Sequence, residues 1–301
     1  MKILSKISIY PVLITLVSVL LLVVNYKSGT NLIGWDNITP EFNIKLNLER
    51  SIFGVWQGYR GLGYPDGMAQ TANLMHTVYI YLLSFVFPEN MLRYVYLFGT
   101  HLIGGLACFF LAAKLFKNKM SAFASALFYM LNLGTIQMYY APLEAFATHF
   151  AALPVICLAL TNALTKKTIL SMALLFGASF LMSPQGFVPT VFFVGMILFS
   201  LIIFFNALKT HDYKTSIIAF LLLITSNAFW ILPYIYNGIE NAAIIQNSRI
   251  NHFSSEEVFY RNQARGELLS VSSFKGFMCD AINYVFSGYI YCLYYHTTWF
   301  I

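Results

Sequence analysis

Apolar residues come in long uninterrupted runs rather than in the two- or three-and-a-half-residue alternation of a water-soluble fold. A membrane-crossing helix needs about 20 mostly apolar residues. Runs of that kind lie at 7–24, 92–113, 121–138, 147–164, 168–182, 187–206, 216–236 and 282–301. They predict about eight transmembrane helices. A ninth apolar run, 74–87 (LMHTVYIYLLSFVF), has 14 residues. It fits a short span or a helix lying on the membrane surface. After Pro40, residues 41–59 set Phe42, Ile44, Leu48 and Ile52 against Glu41, Lys45, Glu49 and Arg50, which predicts an amphipathic helix.

Composition points the same way. Of 301 residues 58% are apolar and 10% charged, with a mean hydropathy of +0.67. A cytosolic enzyme, a disordered tail and a nucleic-acid binder are excluded. The first run follows Lys2 and Lys6 and is too long for a removed signal peptide, so it predicts a retained helix. Cys108, Cys157, Cys279 and Cys292 form no CxxC or Cys/His spacing, and read as apolar fillers.

The placement of charge resolves the 74–87 run. If that run does not cross and the N-terminus is cytoplasmic, the inner side holds Lys2, Lys6, Lys114, Lys117, Lys119, Lys166, Lys167, Lys209 and Lys214. Asp212 is its one acid. The outer side then has nine bases (18 − 9) and eleven acids (12 − 1). This is the positive-inside bias. A crossing at 74–87 scrambles it. The predicted fold is therefore one all-α polytopic transmembrane domain over 1–301, in the cell membrane, N-terminus inside. It has long outer stretches at about 25–91 and 237–281, and the first carries two juxtamembrane helices. Glu256, Glu257, Arg261, Arg265 and Glu267 predict a helix over 254–268. Long loops on a rigid scaffold carry function, which places the chemistry outside.

Asp36 follows the first helix by about a dozen residues. A carboxylate at headgroup level suits a general base or a divalent-metal ligand, and equally a loop cap. The turn RGLGYPDG at 60–67 brings Arg60 near Asp66; Arg60 suits a phosphate or an ion pair with Asp66. Trp35, Trp56, Tyr59 and Tyr64 are surfaces for a ligand pocket or an interfacial belt. Glu144 is the one charge in a short outer loop, with His149 a turn and a half beyond, and such an acid faces a cavity or a partner. His101 and Asn227 lie in apolar runs, where a hydrogen bond to a neighbouring helix is the simpler reading. Pro233 predicts a kink near the end of its run. No Walker loop, GxGxxG, GxSxG or HExxH is present.

The order of parts is one helix, a large outer loop with an early acid and two surface helices, then spans with short loops. It resembles the GT-C superfamily of integral-membrane glycosyltransferases. Within it, the chain is similar to the amino-terminal region of the mycobacterial α-(1→3)-arabinofuranosyltransferase family. GVWQGYRGLGYPDG, LLSFVFPENMLRYVYLF, ALFYMLNLGTIQMYYAPLEAFATHFAALP and NAFWILPYI carry the similarity, across most of residues 30–260. That family is longer and carries carbohydrate-binding modules downstream, so the chain reads as a shortened relative or a piece of a longer protein. The resemblance implies inverting transfer of a sugar from a polyprenyl-phosphate donor to an envelope glycan acceptor on the outer face. It makes Asp36 the base. Glu144, Arg60, His149, Trp35 and Tyr59 are the candidates for binding substrate, and Arg249, Arg261 and Arg265 share the phosphate role with Arg60. No metal ligands are assigned. The alternatives are a lipid or polysaccharide transporter and a scaffold subunit of an envelope-assembly complex.

Overall fold

The computed structural model describes residues 9–32, 41–59, 61–63, 65–66, 70–140 and 143–247. Among them the regular structure is helical, apart from an isolated bridge between Trp56 and Pro65. Two compact units divide the chain: 1–130 with 141–241, and 131–140 with 242–301. Described helices of the second unit are α6 (Leu133–Tyr140) and α12 (Ala242–Gln246).

The first unit is built on α4 (Glu89–Phe116) and α7 (Glu144–Lys166). Tyr96 bonds Thr148 near their starts and Lys114 bonds Asn162 near their ends, so the two run parallel. Small buried residues let them approach closely, among them Gly104 and Ala107 on α4 and Ala147 and Ala151 on α7. A β-carbon at Gly104 overlaps the Phe150 ring. That ring cannot yield, since it lies between His101 (5.8 Å) and Tyr129 (4.3 Å), nearly parallel to both. Gly104→Ala should therefore lower stability by about 1–3 kcal/mol. Gly177→Ala, which meets open space in its helix, should be neutral or stabilising. Thermal unfolding of the two purified variants reads the difference, and equal melting temperatures contradict this packing.

Around the pair lie α1 (Ile9–Asn25), α8 (Ile169–Leu181), α9 (Pro189–Thr210) and α10 (Tyr213–Thr225). Ile156, Leu160, Leu175, Phe199 and Leu223 fill the centre. His101 bonds Ser18 on α1 at 3.0 Å and the Met130 carbonyl at 3.2 Å, the helix-to-helix role its sequence position suggests. Among the described residues α4, α7 and α9 are long and apolar enough to cross a membrane, and α10 with α11 (Ala228–Glu240) makes a fourth if taken as one bent span. Helices α1, α5 (Lys119–Leu131) and α8 are apolar but shorter, and the run 282–301 lies outside the described residues. On α9 Val194, Ile197, Leu201, Phe204 and Phe205 are all exposed. Water does not tolerate so large an apolar surface, but a lipid bilayer does.

Three elements differ from expectation. The run 121–138 is not one helix: Asn132 interrupts it, with its side chain accepting from the Thr135 amide to cap α6. The run 216–236 bends by 70°, and not at Pro233. The break is at Ser226–Asn227, and α11 (Ala228–Glu240) continues through the proline. Asn227 stabilises the corner: its amide donates to Leu223 O and Ser179 Oγ, and its Oδ1 accepts from the Trp230 indole. The helix expected over 41–59 is a 3-10 turn (Glu41–Asn43) and α2 (Ile44–Ile52). It stops before Gly54, and Asp66 N–H donates to Val55 O, which brings these two positions together. Helix α3 (Leu74–Leu83) is about 15 Å long at 1.5 Å per residue, too short to cross. It buries Met75, His76, Thr77 and Ile80.

Candidate functional site

Glu144 opens α7, where the helix dipole favours a carboxylate. Arg93 lies one turn into α4. Because α4 and α7 run parallel, the two meet: Arg93 Nε donates to Glu144 Oε1 at 2.7 Å, and Nη1 donates to Leu32 O at 2.7 Å. Glu144 is fully buried and Arg93 nearly so. Burying an ion pair this deeply needs good geometry to offset desolvation.

His76, on the first turn of α3, completes the cluster. Its Nε2 lies 3.7 Å from Glu144 Oε1, and its ring stands edge-on to Tyr96 at 4.5 Å. Tyr96 OH shares a 2.6 Å hydrogen bond with Thr148 Oγ1, which also donates to the Glu144 carbonyl. Next on α3, Tyr79 donates to Leu181 O, and burial pushes its phenol up to about 12.

Neither ring nitrogen of His76 has a hydrogen-bond partner, although the side chain is 1% exposed. Gln57 Oε1 and Asn73 Oδ1 are in the same condition. These four atoms are the buried, unpaired side-chain polar atoms of the described residues, and all lie between residues 57 and 76. Each such group costs about 1–3 kcal/mol when left unmade. The same segment is otherwise tightly bonded. Asp66 accepts from the Gln57 amide, the Gln70 N–H, and both the N–H and hydroxyl of Thr71. Ser51 bonds Thr77 at 2.9 Å. The segment thus presents two carbonyl acceptors and one imidazole, which accepts at one nitrogen and donates at the other.

The 55–66 loop also walls a cavity of about 820 Å3 against α11. Val55, Trp56, Pro65, Phe229, Leu232, Pro233 and Tyr236 line it, with Glu240 and Asn241 at the polar part. Gly63, at φ +88°, lets the chain pass against the Trp56 indole, where a side chain would collide. Asn237 holds the loop by donating to Pro65 O.

Of the residues singled out from the sequence, Asp36, Trp35, Arg60, Tyr64 and Arg249 lie outside the described residues, as does the stretch 254–268 with Arg261 and Arg265. Tyr59 is half exposed; Arg50 stacks on its ring at 4.3 Å and its hydroxyl donates to Gln70. His149 bonds Gln185 Oε1 at 2.6 Å, a separate pairing from that of Glu144 on the same helix. Arg93 and His76 were missed, although both are ionisable residues inside apolar runs, where such a residue faces a cavity or a partner. Cys108 and Cys157 are free thiols within the bundle. Among the described residues no group of three or more His, Cys, Asp or Glu side chains is placed to hold a metal ion. No protein-family model, curated protein or solved structure matches the chain.

Proposed function

We propose that the chain is an inverting membrane glycosyltransferase of the GT-C kind, moving a sugar from a polyprenyl-phosphate donor to an envelope glycan. The observation that carries this reading is the unpaired polar set of Gln57, Asn73 and His76 on the segment that also reaches the buried Arg93–Glu144 pair. A sugar has hydroxyls to satisfy such a set. The apolar cavity at the other end of the segment suits the donor's hydrocarbon tail.

The orientation follows charge bias, with the N-terminus inside and this segment outside. Asp36 deprotonates the acceptor hydroxyl as the sugar leaves its phosphate. Glu144 orients a sugar hydroxyl, and an arginine, with Arg60 the first candidate, steadies the phosphate. The resemblance to the arabinofuranosyltransferase family supports an arabinofuranosyl donor. A trans-bilayer transporter is less well supported: the polar side chains of the spans are taken up in helix-to-helix bonds, as in Ser18–His101 and Asn227–Ser179.

Donor binding tests this reading. A photoreactive polyprenyl phosphate should crosslink to the peptide containing Leu232 and Tyr236, and unlabelled polyprenyl phosphate should compete. Leu232→Trp, which fills the cavity, should reduce labelling at least tenfold without lowering the melting temperature. Labelling elsewhere, or equal labelling of Leu232→Trp, contradicts the assignment.

A further inference from the structure

The end of the first unit farthest from Glu144 is basic. Lys114 near the end of α4 bonds Asn162 near the end of α7, so these two helix ends are neighbours. Lys167, just past α7, lies 2.6 Å from Asp212 in the α9–α10 turn, which brings that turn to the same end. Lys117 and Lys119 join α4 to α5, and Lys209 and Lys214 flank Asp212. All these lysines are exposed. Asp212 is the one acid in these three turns. Its hydrogen bond to Lys167, with those to Thr215, holds its carboxyl at about 2, so it offsets one cation and leaves the others unmatched.

Two further observations show what the surface meets. First, Lys117, Lys167 and His211 each close a helix in the left-handed conformation, with φ of 54°, 54° and 56°. Glycine takes that position without strain. A lysine there gains from the negative end of the helix dipole, and Lys117 and Lys167 each sit at such an end. Second, the lysines alternate with bare apolar side chains. Phe116 and Met120 flank the first turn, Ile169 (90% exposed) and Leu170 the second, Leu208 and Tyr213 the third. A surface made for nucleic acid or an acidic protein has no use for this collar. At a bilayer boundary the apolar groups enter the acyl region while the lysines reach out to phosphates.

We propose that this end of the bundle, formed by the α4–α5, α7–α8 and α9–α10 turns, binds the phosphate headgroups of anionic phospholipids. The site needs only the membrane setting, not the transferase activity.

The test uses the full chain in neutral phosphatidylcholine nanodiscs, titrated with phosphatidylglycerol and read by native mass spectrometry. Lys117→Gly, Lys119→Gln and Lys214→Gln are combined, leaving the Lys167–Asp212 pair intact. The glycine relieves a left-handed residue, so the melting temperature in neutral lipid should hold, and that is measured alongside. Each lysine removed should weaken phosphatidylglycerol binding about fivefold. Raising the salt from 0.1 to 0.5 M should weaken it in the wild type. Lys27→Gln, in the segment after α1, should change nothing, and millimolar inorganic phosphate should not displace the lipid. Equal wild-type affinity for the neutral and anionic lipids overturns the proposal. So does unchanged binding in the triple variant, an equal loss with Lys27→Gln, or full displacement by phosphate.

Discussion

Arg93→Met should destabilise the folded chain by about 3–5 kcal/mol, because it removes the guanidinium that donates to the fully buried Glu144 carboxylate. The arginine also ties the start of α4 to the Leu32 carbonyl, so the segment after α1 loses an anchor. Removing both charges is a different matter. In Arg93→Met/Glu144→Gln no charge stays buried alone, and the double variant should be more stable than Arg93→Met. A double-mutant cycle by thermal unfolding in nanodiscs should give a coupling of about 2 kcal/mol or more. Strictly additive losses would mean that the pair does not hold the two helix starts together. His76→Leu serves as a third variant. Its ring nitrogens make no hydrogen bonds, so losing them should leave stability nearly unchanged or raise it, while weakening sugar binding.

Asp36→Asn should lower the rate of sugar transfer by about 10²–10⁴-fold, the usual contribution of a general base, and leave the melting temperature unchanged. The two side chains have nearly the same shape and differ in the ability to take a proton. Glu144→Gln should raise KM for the sugar more than it lowers kcat, since Glu144 orients rather than reacts. Asp66→Asn should behave in the opposite way. Its carboxylate ties Gln57, Gln70 and Thr71 together, and an amide cannot accept at both positions. Stability should fall while the rate per folded molecule stays near wild type. Kinetics at matched folded fractions separates the three, and equal turnover in wild type and Asp36→Asn would reject the base assignment.

The long apolar runs of α4, α7 and α9 were legible because an uninterrupted stretch of about 20 apolar residues admits few other structures. Glu144 was legible as a charge that must face something other than lipid. Its partners needed the same rule applied to Arg93, 51 residues earlier, and to His76, which the apolar run 74–87 disguised. The corner at Asn227 was hidden for another reason. A proline is the obvious breaker, and Pro233 drew the prediction. What sets the bend is a long-range fit: Trp230 is fully buried against Phe192, and a β-carbon at Gly186 would collide with its indole. Only Gly186, 44 residues upstream, leaves room for that ring, and no local pattern reports it. The early end of α2 was readable in principle. A β-carbon at Gly54 comes within 3.2 Å of the Arg50 and Ser51 carbonyls, and the glycine itself is in plain view.

The central claim is sugar transfer, and the direct measurement is turnover by the purified chain in proteoliposomes. A radiolabelled polyprenyl-phosphate pentose or hexose is supplied with an envelope glycan fragment as acceptor, and the product's linkage is read by NMR. The account predicts label in the glycan, with the anomeric configuration inverted relative to the donor, at a rate well above that of protein-free vesicles. Label entering the glycan no faster than in protein-free vesicles, across the donor series, contradicts it.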